Sequence, residues 1–548
     1  MDNTRRLMMG ASRFNVDTGP TYIEDVFSTY LYTGNGSTQK ITNGIDLSGK
    51  GGLVWVKCRS NAYDNILGGT EIGINKLLAT NDTKAIQTFN SFSSFNNDGF
   101  TLGDLLASNG NGTTQSSWTF RKQAKFFDIV TYTGTGSARS VNHNLGSTPG
   151  AIIIKRTDAV ADWIVYHRSI GTDNFLYLNG TGAAISISKV TAVSTSTFSL
   201  PTDSNVNANG GFFVAYLFAH DAGGFGDSGN ESVVKCGSFT ESGSGVSVNL
   251  GWEPQWLLVK KSDGAGSWVI FDNMRGTPVN NYWSALFPDS SNAESGSFVI
   301  GSSTATGFGF PSSGGGGWSN GTYIYIAIRR GPMRTPTDAT KVFNISITTT
   351  TSPSTSYNVG FPADSYFFGF RAGIYGPRFY SRSTGSYYLT SSDTFSETTG
   401  GGTASWDQQD NFTLRSSSGF SLVNYFFRRA PGFFDVVAYD NTSSTVYHNL
   451  GVIPDLIIAK RRDGTGNWAV LYKTNSSDSR TGLSLNINAS AYFGGTNVEN
   501  PTTTTFNPTK IYDHTGNPTA ANGNCIAYLF ANLSNVCRTG LYYGTGND

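Results

Sequence analysis

Few side chains in this sequence stand at spacings that do chemistry. The stretch GIDLSGKG, Gly44 to Gly51, ends in the glycine and lysine of a phosphate-binding loop. Such a loop also needs Ser or Thr after the lysine, to hold magnesium, and a helix N-terminus beneath it. Gly51 follows instead, and then the strand-like GLVWVK, so the stretch is expected to be a turn. Histidine offers acid–base or metal chemistry. His143 and His448 stand in NHNLG and YHNLG, the same place in two copies of a repeat, and are expected to be hydrogen-bonded structural residues. His220 and Asp221, in AHDAGGFG, fall at a junction between copies, and no serine has a nucleophile-elbow setting. Cys58, Cys236, Cys525 and Cys537 are too irregularly spaced for a zinc site or a disulfide framework, and suit free thiols made in a reducing cytoplasm. A glycosidase needs two carboxyl groups a few ångströms apart, which distant strands can supply. The eight glutamates, from Glu24 to Glu499, are scattered and form no motif. Sequence alone therefore assigns no catalytic, cofactor-binding or metal-ligating residue, implies no cofactor and no enzyme, and leaves ligand-binding residues unknown.

The frame around these residues is better specified. At 548 residues the chain is several times the size of one core. Charged residues are 14% of it, against about 25% in an ordinary soluble protein, while Gly, Ser, Thr and Asn abound. Aromatics at 13% are too many for disorder. Aromatic and β-branched runs, punctuated by turn residues and almost without helical periodicity, predict an all-β chain of several domains. Lys plus Arg equals Asp plus Glu at 38 each, so no overall field draws the chain to nucleic acid or an acidic membrane. The opening MDNTRRLMMGASRF has an apolar run of only Leu7, Met8 and Met9, too short for a signal-peptide core, and nothing approaches a membrane span.

An internal repeat organises the rest. NLGSTPGAIIIKR, NLGWEPQWLLVKK and NLGVIPDLIIAKR, starting at Asn144, Asn249 and Asn449, share Asn-Leu-Gly, a proline and a lysine. Lys155, Lys260 and Lys460 are each followed at one fixed spacing by a tryptophan, Trp163, Trp268 and Trp468. Two copies have drifted: DLSGKGGLVWVKCR keeps Lys57 without the tryptophan, and NVGFPADSYFFGFR is aligned with Arg371 in the lysine's place and Phe379 in the tryptophan's. The tryptophans are expected in cores or seams, with a sugar-stacking platform as the alternative.

The expected architecture is a tandem array of about five antiparallel β-sandwiches, jelly-roll or immunoglobulin-like, of roughly 100 residues each. The boundaries are an N-terminal anchoring arm at 1–26, repeats at 27–126, 127–231, 232–335, 336–432 (divergent) and 433–536, and a tail at 537–548. Almost no linker separates the copies, as in RKQAKFFDIV and RRAPGFFDVV, which implies a stiff array.

The segments FSTYLYTGNGSTQKI, IDLSGKGGLVWVKCRS, DGFTLG, FRKQAKFFDIVTYTGTGS, NLGSTPGAIIIKR and YLFAHDAGGFGDSG resemble an uncharacterised β-rich repeat domain of virion proteins in marine tailed phages, of tail-fibre or structural type. The resemblance spans the chain, is most specific over 27–335, and brings no catalytic residues with it. It implies a virion structural protein, made in the host cytoplasm, that docks on other virion proteins through its N-terminal arm and contributes to host-surface attachment. A homo-oligomer, trimers included, and a host glycan or protein partner go with that reading, without nucleic acid or membrane insertion. The alternatives are a head-decorating protein and, behind it, a glycan-degrading tailspike-type enzyme. Function is expected in loops that differ between copies: PSSGGGGWSNG around Trp318, YSRSTGSYY from Tyr380 to Tyr388, and the stretch from Lys473 to His514. The closing GLYYGTGND has the first-strand pattern of a further repeat and is expected to pair rather than fray, within the chain in preference to between chains.

Overall fold

The computed structural model of the protein describes residues 19–278, 281–310, 319–372, 375–399, 404–415, 419–440, 444–473, 480–488, 500–511 and 523–540. Among them the chain is all-β, with helix only as single short turns, and every strand pairing is antiparallel. FDIVTYT, AIIIKR and FFVAYLF become Phe127–Thr133, Ala151–Arg156 and Phe212–Phe218, as their β-branched and aromatic content dictates. Gly136, at φ 70°, turns the chain out of the first of these strands, a conformation that suits glycine.

The sheets come in pairs. In residues 127–218 the larger sheet runs in the order Phe127–Thr133, Phe212–Phe218, Ala151–Arg156, Ile164–His167, Leu176–Tyr177, and the smaller one Arg139–Asn142, Thr197–Leu200, Ala192–Val193. Between them lies a core of Val141, Ile152, Ile154, Phe198, Leu200 and Phe213. Pairs of related order, each with its own core, occur at 27–121, 234–329, 343–427 and 434–530. These are β-sandwiches, called units 1 to 5 below in chain order.

The larger sheets are buried on both faces, which explains their unbroken apolar runs. In unit 2, Ile152 and Ile154 point into the unit's own core, whereas Ile153 points away into a second one. That second core is shared by Trp55, Trp118 and Phe120 of unit 1, Phe127, Trp163 and Tyr216 of unit 2, and Trp256, Leu258 and Ile326 of unit 3. A further shared core joins units 4 and 5 through Leu389, Phe433, Phe434, Val436, Trp468 and Tyr528. The units are therefore not strung in a line, each touching only its neighbours in sequence: unit 1 packs directly on unit 3.

Register shifts one alignment. Ala151 pairs with Phe218 and Ser365 with Phe427, so Gly369 in unit 4 stands where unit 2 has Lys155. Arg371 lies two places too far along, and the tryptophan's place falls to Pro377, before the strand Arg378–Ser381, not to Phe379.

A single turn leads into four of the units. Val26 N–H donates to the Ile23 carbonyl, as Phe126 does to Gln123, Val342 to Ala339 and Phe433 to Ala430, and Val536 repeats the bond to Leu533 ahead of the tail. Residues 22–26 of the expected arm are thus the lead-in to unit 1, with Ile23 and Val26 buried in the shared core, and residues 1–18 lie outside the described residues. At the other end Cys537 occupies the place of Phe127 and Phe434, the first residue of a strand, and the tail from 541 onward lies outside the described residues.

Candidate functional site: the seams between sandwiches

The repeated lysine and tryptophan meet at the boundaries between units. Lys155 Nζ donates to the Thr83 carbonyl of unit 1, at 2.9 Å, and to Ala161 of its own unit. Lys260 Nζ donates to the Gly182 carbonyl of unit 2, at 2.8 Å, and Lys57 Nζ donates to the Ser291 carbonyl of unit 3, at 2.8 Å. Unit 2 thus grips unit 1, unit 3 grips unit 2, and unit 1 grips unit 3, which closes a ring of three. Lys460 makes the same grip on Thr394 of unit 4.

The indoles follow suit. Trp163 Nε1 donates to the Ala79 carbonyl at 2.9 Å, Trp268 Nε1 to Tyr177 at 2.8 Å, and Trp468 Nε1 to Thr390 at 2.9 Å. In unit 1 the place belongs to Asn65, whose side-chain amide donates to the Phe287 and Ser290 carbonyls of unit 3. Backbone bonds complete each seam: Ile86 to Thr157, Ala184 to Ser262, Glu294 to Arg59 and Glu397 to Arg462. Trp163, Trp268 and Trp468 are all fully buried, so each is a seam residue and none is a surface platform for a sugar ring.

A charged side chain is buried here because backbone carbonyls solvate it. The four seam lysines are at most 1% exposed, and burial lowers each ammonium to about 8 from the ordinary 10.5. His167 of unit 2 meets the Tyr325 carbonyl of unit 3 at 3.1 Å and is pushed down to about 4 by burial.

The sequence reading overlooked two sets of residues. One is an asparagine clamp: Asn179 accepts from the Trp163 N–H and donates to Asp162, as Asn486 does with Trp468 and Asn467, and Asn81 with Asn65 and Asp64. The recurring Asn-x-Thr of Asn81–Thr83 and Asn179–Thr181, whose threonine carbonyls receive the lysines, was its signal. The other is a set of arginines joining the ring to units 4 and 5. Arg59 pairs with Glu294 at 2.7 Å and with Asp407 of unit 4 at 2.9 Å. Arg330 pairs with Asp364, and Arg429 bridges Glu253 and Asp435. Burial of Asp364 would raise its carboxyl, but Arg330, Arg382 and Arg429 outweigh it and hold the group below the usual range. These arginines lie far apart in sequence, and no spacing betrays them.

The other candidates have structural surroundings. The Gly44–Gly51 stretch is a turn, with Gly51 N–H bonded to the Leu47 carbonyl and the strand Gly52–Cys58 following directly. His143 and His448 accept the N–H of Leu145 and Leu450 at Nδ1, while Nε2 meets the Ser194 and Thr502 carbonyls, and burial lowers both. His220 accepts from the Cys236 N–H and lies 3.8 Å from Asp221. Glu24, Glu71, Glu231, Glu253, Glu294 and Glu397 pair with Arg or Lys, Glu241 caps Gly243 and Gly245, and Glu499 lies outside the described residues. The cysteines are unpaired, and among the described residues no cluster of three His, Cys, Asp or Glu is placed to hold a metal.

Of the variable stretches, Tyr380 to Tyr388 is not a surface loop. Both tyrosines are buried, and Arg382 between them donates to the carbonyls of Ala363 and Trp406 in unit 4 and Met274 in unit 3. Residues 311–318, and 474–479, 489–499 and 512–514 of the stretch from Lys473 to His514, lie outside the described residues.

A family model described as a domain of unknown function, DUF7483, matches residues 23–332 and 390–548. The chain belongs to the DUF7483 family. The match skips 333–389, which holds Gly369 and Pro377, so it breaks off where unit 4 drops the seam side chains. No curated protein and no solved structure matches the chain.

Proposed function

We propose that the chain is a structural protein of a bacteriophage virion, a tail fibre or appendage that docks on the particle through its N-terminal residues and contributes to host-surface attachment. The observation that carries this reading is how the repeated side chains are used. The lysine and tryptophan that recur from unit to unit join one sandwich to the next, and the recurring asparagine fixes the backbone beside that seam within its own unit. A repeat whose shared residues serve assembly belongs to a scaffold, and recognition falls to what differs between copies. The resemblance to phage repeat proteins supports the same reading, and a low-charge skin of Ser, Thr, Asn, Gly and Tyr suits glycan or protein contact by hydrogen bonding and stacking.

The docking half is tested by deleting residues 1–18 and no more, because Ile23 and Val26 belong to the core. The truncated protein is expected to fold normally and to be missing from purified particles. Truncated chains that still load would overturn docking through this segment. Cryo-electron microscopy of particles with the chain located on the tail is the expected result; location on the head would favour a decorating protein, and cleavage of host polysaccharide by the purified chain would favour the enzyme.

A further inference from the structure

We propose that units 4 and 5 form an interface with a second copy of this chain, through two flanks that the first three units keep covered. The ring of units 1–3 shows which surfaces a unit hides when its neighbours are in place. In the strand that opens each unit, one register position faces the shared core: Thr29, Ile129, Cys236 and Val436 hold it in units 1, 2, 3 and 5, opposite Trp118, Tyr216, Ile326 and Tyr528. All four are buried, none more than 5% exposed. In unit 4 the position belongs to Ile345, opposite Tyr425, and Ile345 is 56% exposed. Tyr425 and Val423 on the paired strand are half-buried where their counterparts in the other units are buried, and Ile347, two residues on, is a 60% exposed isoleucine at a position where units 2 and 3 expose the polar Thr131 and Ser238. Soluble chains rarely leave a contiguous apolar patch of this kind without a partner for it.

Unit 5 has the complementary gap. Leu485, whose N–H donates to the Trp468 carbonyl, holds the place of Leu178 and Thr80, which make the same bond to Trp163 and Asn65. Leu178 and Thr80 are fully buried under the next unit of the ring, whereas Leu485 is 44% exposed and Ile487 beside it 41%. The flank of unit 4 and the flank of unit 5 are therefore the two halves of one seam, left apart because only two units surround this core.

The occupant follows from that complementarity. A second copy brings the same two flanks, and a two-fold axis sets unit 4 of each copy against unit 5 of the other, so that both seams form at once. Units 1–3 of a second copy have no equivalent surface to offer, because their flanks are spent on one another. Unit 4 is fitted for an apolar contact rather than a lysine grip. Gly369 and Pro377 replace the lysine and the tryptophan, and a Cβ built at Gly369 meets no atom within 4 Å. No buried ammonium then has to find carbonyls across the new interface.

Sedimentation of the purified full-length chain at micromolar concentration tests the proposal. The expected mass is twice 58.7 kDa. Ile345→Asp with Ile347→Asp, and separately Leu485→Asp, should each weaken association by about tenfold or more, since a charge is forced into an apolar contact. Both flanks are exposed in the single chain, so hydrogen exchange across Phe127–Thr133 should stay unchanged and certify the fold. A monomer, a trimer, or a dimer indifferent to both variants would overturn the proposal, the last because the chains would then be meeting elsewhere.

Discussion

Units 1–3 and units 4–5 are built from the same strands in the same pairing, yet one set closes on itself and the other stops short. In the closed set each larger sheet is apolar on both faces, and its outer face is covered by two neighbours. In the open set the same outer face is covered by one neighbour only, and Ile345, Tyr425 and Leu485 lie uncovered or half-covered at positions the ring buries. The difference lies in the number of units around the shared core rather than in the fold of a unit. A sandwich of this kind has two cores to complete, one of its own and one held in common, and sequence identity between units says little about whether the second is complete.

The largest way to break the comparison is through a tryptophan of the closed set. Trp268 is 1% exposed, joins the core shared by three units, and donates to Tyr177 across the seam. Trp268→Ala should cost about 3 to 5 kcal/mol, from lost burial and the cavity left behind. Chemical denaturation followed by fluorescence measures it. A loss below about 1 kcal/mol would mean that the ring relaxes around the missing indole, and that closure contributes little to stability.

Closure itself rests on Lys57, the grip of unit 1 on unit 3. Lys57→Met keeps an unbranched apolar stem of nearly the same length and removes the ammonium, leaving the Tyr63 and Ser291 carbonyls without their donor. The expected cost is about 1 to 3 kcal/mol, the penalty for buried acceptors left unpaired. Hydrogen exchange should rise first at the seam, around Glu294 N–H, which donates to Arg59 beside it. If exchange rises uniformly through all three units instead, the ring unfolds as one body and the seam is no weaker than the sandwiches.

Much of the unit was legible in the sequence and little of the assembly. The strands were readable because a sheet buried on both faces needs continuous apolar runs, and AIIIK and LLVK are such runs. Lysine and tryptophan at a fixed spacing announced a shared structural task, and seams were among the expectations, but the partner across a seam is a backbone carbonyl and leaves no residue signature. The drifted fourth copy was misaligned by two residues because NVGFPADSYFFGFR ends in an arginine that imitates the missing lysine, and only strand register separates Gly369 from Arg371. The arginine bridges, Arg59 to Asp407 and Arg429 to Glu253, join residues 348 and 176 positions apart and follow only from how the ring packs against units 4 and 5. The stretch from Tyr380 to Tyr388 looked like a loop because it differs between copies; it differs because it faces unit 3 through Arg382, a contact belonging to unit 4.

The smallest expected effect is a pH dependence, and it sharpens the account of the seams. Lys57, Lys155, Lys260 and Lys460 release their protons near pH 8 in the folded chain, because burial disfavours the charged form, and near 10.5 when unfolded. Between those values the unfolded chain binds more protons than the folded one, so stability rises as pH rises through this window. Thiols and phenols oppose the trend higher up. Burial pushes Cys525 up to about 12 and raises Cys236 as well, so above about 9 the unfolded chain loses thiol protons that the folded chain keeps, and buried tyrosines such as Tyr132 and Tyr216 do the same above about 10. The clean interval is pH 8 to 9, where the unfolding free energy should increase. In Lys57→Met one of the four groups is gone, so the increase over that interval should shrink by about 1 kcal/mol or less relative to the parent. Denaturation curves of both proteins at pH 8.0 and 9.0 give the comparison. Equal slopes would mean that Lys57 keeps its ordinary affinity for a proton, and that the carbonyls of Tyr63 and Ser291 solvate the ammonium as well as water does.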